Sequence, residues 1–252
     1  MRALMGKYVV LSIFLLMILS ITSCSGTKDR RIVSVERLFN QGLAYFEDED
    51  YMRARETFQQ LKDNYPLSKY SIVAELRIAD SYYHDGEYNE AILYYEEFKK
   101  LHPTNPVIPY ILYQIGMSYF NQILSIDRDQ TFAENAAKQF KYITSRYPST
   151  IYGVSAKKKL RICKERMAQH EFYVGHFYFK KKKYKGALHR FKKTLEIFPE
   201  SNFIDTLYLY IGKSYLFSGE KGKARDALIL LVQNYPQSKY YGEAQELLAK
   251  LK

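Results

Sequence analysis

From about residue 35 onward, apolar residues recur at alternating steps of three and four, the spacing that lines one face of an α-helix, and no period-two strand signal competes with it. One such series is Leu160, Cys163, Met167, His170, Val174, Phe177, which predicts a single buried face with Cys163 as a small core residue. A second, longer rhythm overlies the first. A small residue, an aromatic three positions later, then Ala, a ring or Leu, and finally Pro recur five times. The copies are Gly42, Tyr45, Ala54, Phe58, Pro66; Ala79, Tyr82, Ala91, Tyr95, Pro103; Gly116, Tyr119, Ala136, Phe140, Pro148; Gly175, Tyr178, Ala187, Phe191, Pro199; and Gly212, Tyr215, Ala224, Leu228, Pro236.

These columns match the tetratricopeptide repeat, a pair of antiparallel helices that needs small residues where backbones approach and large ones beside them. The proline ends each second helix, because its ring clashes with the preceding turn and it lacks an N–H. Gly86 and Gly219 fall between the helices of copies two and five, where a turn calls for positive φ. Copies one and two, and copies four and five, are offset by 37 residues, against about 34 in the consensus. Copy three carries extra residues between its helices, around Leu124 to Glu134. The interval from Pro148 to Pro199 is also too long, and no Pro or Gly interrupts Val154 to Met167. That stretch is predicted to run on into the first helix of repeat four as a rigid spine. Tyr240, Tyr241, Ala244, Leu247, Leu248 and Leu251 then form an amphipathic cap for the last open core face. The expected fold is all-α: a superhelix, or α-solenoid, of five helix pairs plus a C-terminal capping helix.

The first residues belong to a different kind of segment. Arg2 and Lys7 precede an apolar run from Tyr8 to Leu19, shorter than the roughly 20 residues that cross a bilayer. This reads as a signal peptide over residues 1–23. Ile21-Thr22-Ser23-Cys24 resembles the lipobox of bacterial lipoproteins, departing from it at Ile21, where Leu is commoner. Cys24 is then the lipidated first residue of the mature chain, and its acyl chains hold the protein to a membrane. The expected organisation is a lipidated cysteine and tether at 24–34, repeats one to three at 35–150, and repeats four and five with the cap at 151–252. With Cys24 acylated, Cys163 has no disulfide partner, so stability must come from packing. The formal charge of +11 falls to +9 once Arg2 and Lys7 leave. In an exported protein, a basic surface of this kind seeks acidic protein faces, lipid headgroups or glycans rather than nucleic acid.

Catalytic patterns are missing from the sequence. His170 and His176 are six apart, whereas helical metal ligands such as those of HExxH are four apart. No glycine-rich phosphate loop or nucleophile elbow occurs, and Glu96 and Glu97, adjacent on a helix, do not face one another as an acid–base pair must. The sequence therefore predicts a non-enzyme with no metal and no cofactor. What it offers instead is a surplus of aromatics on the first helices, opposite the small-residue landmarks. Phe39, Leu43 and Phe46 of repeat one, Leu76 and Tyr83 of repeat two, and Tyr110, Tyr113, Met117 and Phe120 of repeat three either line a concave peptide groove or pack repeats together.

The whole chain resembles the BamD family of outer-membrane lipoproteins, also called ComL- or YfiO-like. The resemblance rests on the lipobox, the five repeats and both length anomalies. It is most specific in HPTNPVIPYILYQIGMSY, in Asp127-Arg128-Asp129-Gln130, and in KKLRICKERMAQHEFYVGHFY. It implies a part in folding and inserting β-barrel proteins. The N-terminal repeats would meet the C-terminal strand of unfolded substrates, in a groove of Phe39, Leu43, Phe46, Leu76, Tyr83, Tyr110 and Tyr113. The C-terminal repeats would meet a POTRA domain of the barrel-forming subunit BamA, with Arg190 and Lys193 on the partner-facing side, and further subunits would join the complex. Ser25 after the lipidated cysteine implies an outer-membrane destination, facing the periplasm. A secretin pilot or a coordinator of cell-wall synthesis would use the same scaffold on other clients. Runs such as Lys180 to Lys183 make repeat four unusually basic, a departure from the family pattern.

Overall fold

In the computed structural model, which describes residues 33–251, eleven α-helices follow one another and no strand occurs among the described residues. They are α1 (Val35–Glu47), α2 (Tyr51–Asn64), α3 (Lys69–His84), α4 (Tyr88–Leu101), α5 (Ile108–Asn121), α6 (Thr131–Arg146), α7 (Ile151–Lys180), α8 (Tyr184–Ile197), α9 (Ile204–Phe217), α10 (Lys221–Asn234) and α11 (Tyr241–Ala249). Each packs against its neighbours in sequence, and successive first helices also touch, α1 with α3, α5 with α7 and α7 with α9. The expected signal peptide, Cys24 and the expected tether up to residue 32 lie outside the described residues.

The repeat columns become contacts. A Cβ added at Gly42, Gly116 or Gly175 would fall 2.7, 2.7 or 2.6 Å from a ring carbon of Phe58, Phe140 or Phe191, and one at Gly212 would fall 2.7 Å from Leu228 Cγ. In each case the small residue of the first helix admits the large residue of the second, and all four large residues are fully buried. Every second helix stops two residues before its landmark proline, at Asn64, Leu101, Arg146, Ile197 and Asn234. The turn between helices is equally regular in four repeats. The carbonyls of Tyr45, Tyr82, Tyr178 and Tyr215 accept from the N–H groups of Asp50, Glu87, Lys183 and Glu220 at 2.8 to 2.9 Å, closing a Schellman-type ending. The residue just before each donor is left-handed: Gly86 and Gly219 at φ +81°, as expected, but also Glu49 at +59° and Lys182 at +56°.

Repeat three replaces this turn with the loop from Gln122 to Gln130. Gln130 organises it, donating from Nε2 to the carbonyls of Ser125 and Arg128 at 3.0 and 2.9 Å. His170 of α7 pins it with a 2.7 Å hydrogen bond from Nδ1 to the Ile126 carbonyl.

The predicted spine is α7, one helix of 30 residues. Of its buried positions, Ala156 and Cys163 serve the core of repeats two and three, whereas Ala168 and Gly175 are the buried positions further on. The single apolar face expected from Leu160 through Phe177 is therefore corrected: Phe177 is 52% exposed, because the later turns face α8 and α9 instead of α6. Three cores result, one around Phe58, one around Tyr95, Phe98 and Phe140, and one around Phe191, Leu207 and Leu228. The last is closed by α11 through Ala244, with Leu251 just beyond the helix, as the capping pattern predicts.

Candidate functional site

All seven expected groove residues are half-buried, and each packs against a core cluster. Phe39 leans on Phe58 and Tyr70, with centroids 6.1 and 4.9 Å away. Leu43 packs on the same core, and Leu76 on the next. Phe46 meets His84 edge-on at 5.5 Å, and His84 meets Tyr83 edge-on at 5.4 Å. The Tyr83 hydroxyl accepts from Asn121 Nδ2 at 3.2 Å. An aromatic file thus runs from α1 through α3 to the end of α5. Tyr113 sits between Phe140 and Tyr152, at 5.9 and 5.8 Å, so its ring also locks α5 to α6 and α7.

Tyr110 belongs to a polar cluster that sequence reasoning missed. Asp80 on α3 is 1% exposed, and its Oδ1 accepts from the hydroxyls of Tyr95 and Tyr110 at 2.7 Å each. Its Oδ2 accepts from Arg77 at 3.1 Å, and the Arg77 guanidinium lies 5.5 Å from the centre of the Phe46 ring. Burial raises the Asp80 carboxyl above the usual carboxylate range, against the lowering effect of the two tyrosine hydroxyls and Arg77. The tyrosines rise in turn: desolvation, with the neighbouring carboxylate, keeps both hydroxyls protonated and donating. The available signal was a carboxylate one residue after a core landmark, Ala79.

In the C-terminal half, Arg190 and Lys193 converge on Glu171 of α7. Nη1 of Arg190 lies 2.9 Å from Oε2, and Nζ of Lys193 lies 3.0 Å from Oε1. Burial pushes the Glu171 carboxyl up, but the hydrogen bonds from the two cations outweigh it and hold the group below its ordinary value. Both residues therefore act first as ties between α7 and α8. Lys193 also lines a cleft of about 410 Å³ between α6, α7 and α8, with Leu160, Met167 and Ile197 among its apolar walls and Lys138, Lys141 and Lys164 among its polar ones. Leu160 and Met167 belong to the face predicted from sequence, left half-covered here by the opening.

Among the described residues no group of three or more His, Cys, Asp or Glu could hold a metal, and no helix is long and apolar enough to cross a membrane. Burial pushes the Cys163 thiol up to about 12, the mark of an inert core cysteine.

Paired helices with glycine-to-ring contacts, proline stops and side-chain files along their first helices define a helical-repeat scaffold of the tetratricopeptide type. The sequence model of the YfiO family, described as outer membrane lipoproteins, matches residues 32–229, and the chain belongs to that family. Relatives named outer membrane protein assembly factor BamD include those of three bacteria. That of Rickettsia prowazekii is 28% identical over 95% of this chain and 96% of its own length. That of Caulobacter vibrioides is 26% identical over 98% and 83%. That of Neisseria meningitidis serogroup A is 26% identical over 94% and 95%. Among solved structures, the TPR2AB domain of yeast Sti1 in its pHSP90 complex overlaps 86% of this chain and 82% of its own, at 15% identity and a TM-score of 0.45. The chain is a non-enzymatic scaffold, in keeping with its family.

Proposed function

We propose that this protein is an outer-membrane protein assembly factor, tethered to the periplasmic face of the outer membrane through a lipid on Cys24. Repeats one to three, residues 35–150, receive unfolded β-barrel polypeptides. Repeats four and five with the cap, residues 151–252, dock a POTRA domain of BamA, and other subunits of the assembly machinery join the complex. The observation that carries this reading is the near end-to-end match with relatives named for that role. The site geometry supports it in two ways. The file of Phe46, His84 and Tyr83 offers large rings beside hydrogen-bonding tips, a surface suited to an extended chain with aromatic residues. The lysine-rimmed cleft beside Lys193 and Arg190 suits an acidic protein face with an apolar centre.

Crosslinking to a barrel-derived C-terminal peptide tests the first half. Phe46→Ala and Tyr83→Ala should each reduce it several-fold, and unchanged crosslinking in both removes the groove. Co-purification of BamA from detergent-extracted envelopes tests the second half. Arg190→Glu reverses the charge that would face the partner but also breaks the tie to Glu171, so Lys164→Glu, at a lysine lining the same cleft, is its companion. Undiminished BamA recovery with both variants removes this face from the interface.

A further inference from the structure

Repeat four closes its helix turn with residues unlike those of the other repeats. The three positions are Asp48-Glu49-Asp50 in repeat one, Asp85-Gly86-Glu87 in repeat two and Ser218-Gly219-Glu220 in repeat five, but Lys181-Lys182-Lys183 in repeat four. The backbone closure is the same in all four, so the fold does not call for lysine. At two of the three positions lysine is unfavourable. Lys182 sits in the left-handed position, φ +56°, that Gly86 and Gly219 fill without strain. Lys183 is the N-cap of α8, where the helix dipole favours an anion; Asp50, at the same place in repeat one, accepts from the Arg53 N–H, whereas Lys183 makes no side-chain cap bond. Lys185 adds another cation to the first turn of α8, which holds no acidic residue. Choices that cost local stability and gain nothing in packing are expected where a surface serves function.

Lys180, Lys181, Lys182, Lys183 and Lys185 are all exposed. Among the described residues, the ion pairs of the C-terminal half join Arg190 and Lys193 to Glu171, Lys213 to Glu243 and Lys223 to Glu220, and none uses these five lysines. Exposed rings flank them. Phe177, in the last turn of α7, is 52% exposed, and Lys181 Nζ lies 5.9 Å from its centre. Phe217, the last residue of α9, is 58% exposed and stacks at 5.4 Å on Tyr184, the first residue of α8. The turns within successive repeats fall at the same end of the stacked helix pairs, so lysines and rings together form a projecting edge and not a groove. Arg190 and Lys193 lie at least seven helical residues, about 10 Å, beyond Lys183 along α8.

We propose that this edge docks on a bilayer surface bearing anionic phospholipid headgroups, the five lysines among the phosphates and Phe177 and Phe217 at the boundary between headgroups and acyl chains. A plane that is anionic outside and apolar just beneath matches a convex edge on which unpaired lysines surround exposed rings. An acidic loop or strand of a protein would need a concave seat to cover the same two rings. The row of turns also sets a direction, because its members in repeats one and two are acidic and are repelled by such a surface. A lipid tether alone leaves a scaffold free to swivel, and a second contact at this edge holds repeats four and five against the membrane. Neither the lipid on Cys24 nor either proposed partner is needed for the contact, and its test contains none of them.

The experiment is flotation of the full mature chain, carrying Cys24→Ser so that no acyl chain contributes, on phosphatidylcholine vesicles with and without about one-third phosphatidylglycerol. The protein should bind the anionic vesicles and leave the neutral ones. Lys181→Asp/Lys182→Gly/Lys183→Glu writes into repeat four the turn that repeat two already uses, so its Tm should equal or exceed that of the parent. Each lysine at an anionic surface contributes about fivefold, so this variant should bind about a hundredfold more weakly. Should its Tm fall instead, Lys180→Gln/Lys185→Gln, which leaves the turn untouched, decides, with an expected loss of about twentyfold. Phe177→Ala should weaken binding about fivefold, as a half-exposed ring leaving water predicts. Equal binding to both kinds of vesicle, full binding by the deciding lysine variant, or indifference to Phe177→Ala overturns the inference. If poly-glutamate at the same concentration of negative charge strips the protein from the vesicles, the edge is a seat for acidic protein and the lipid assignment falls.

Discussion

Gly175 is where the packing rule of the repeats can be tested most sharply. In Gly175→Ala the new methyl carbon falls 2.6 Å from Cε1 and 2.8 Å from Cδ1 of Phe191, and 3.1 Å from Cβ of Arg190. Carbon atoms settle at about 3.5 to 4.0 Å, so the ring must retreat by roughly 1 Å. It has nowhere to go, being fully buried, with the Phe172 and Tyr210 centroids 5.5 and 5.8 Å away. Overpacking of this kind costs about 1–3 kcal/mol, and the better helix propensity of alanine returns about 1 kcal/mol. With the ring locked, the steric cost sits at the top of its range, and the variant should lose about 2 kcal/mol. For a chain of this size that is a drop of about 4–8 °C in Tm. Gly222→Ala is the control, because a Cβ there meets nothing within 4 Å. It should stabilise the protein by a few tenths of a kcal/mol, up to about 1. Urea unfolding followed by circular dichroism measures both, and hydrogen exchange of the α7 and α8 amides localises the loss if the array unfolds in parts. Adding Phe191→Leu to Gly175→Ala should recover about 1 kcal/mol of coupling. If Gly175→Ala stabilises as Gly222→Ala does, or the coupling is zero, close approach is not what this column encodes.

Other outcomes follow from single features. Lys182→Gly should stabilise by about 0.5–1 kcal/mol, because it relieves a left-handed side chain, and a lower urea midpoint would count against that turn geometry. Asp80→Ala should cost about 3 kcal/mol, since it strands two buried tyrosine hydroxyls and the Arg77 charge. Native Asp80 keeps its proton to higher pH than in the unfolded chain, so its contribution to stability falls as pH rises from about 4 through the raised native value. Asp80→Asn should remove that falling limb from the plot of urea midpoint against pH, and parallel plots for the two proteins would refute the assignment. Cys163 should resist maleimide at pH 8 in the folded protein and react on unfolding; labelling within minutes under native conditions would contradict its burial.

The parts of this fold that were legible are those encoded in fixed columns. Glycine opposite a ring, a proline two residues past each second helix and a stretch from Val154 to Met167 free of Pro and Gly each leave a mark within one repeat length. What escaped depends on meetings that no local window holds. Asp80 finds Tyr95 and Tyr110 on two other helices, and Glu171 finds Arg190 and Lys193 across the α7–α8 turn. The left-handed turns at Glu49 and Lys182 escaped because glycine marks that position only in repeats two and five. The half-buried rings of Phe39, Tyr110 and Tyr113 read alike for packing and for binding, since both put an apolar side chain at the same helical spacing. Their contacts with Tyr70, Asp80 and Tyr152 show that each also holds helices together.

The continuity of α7 also sets a phase. Each residue of an α-helix advances about 1.5 Å and turns about 100°. The five residue steps from Cys163 to Ala168, which carry the chain from one core to the next, therefore fix the azimuth of everything beyond them. A loop at that point would absorb an inserted or deleted residue. Here one extra residue would swing the last two helix pairs and the cap by more than a quarter of a circle about the helix axis, so the length of this segment is as constrained as its composition.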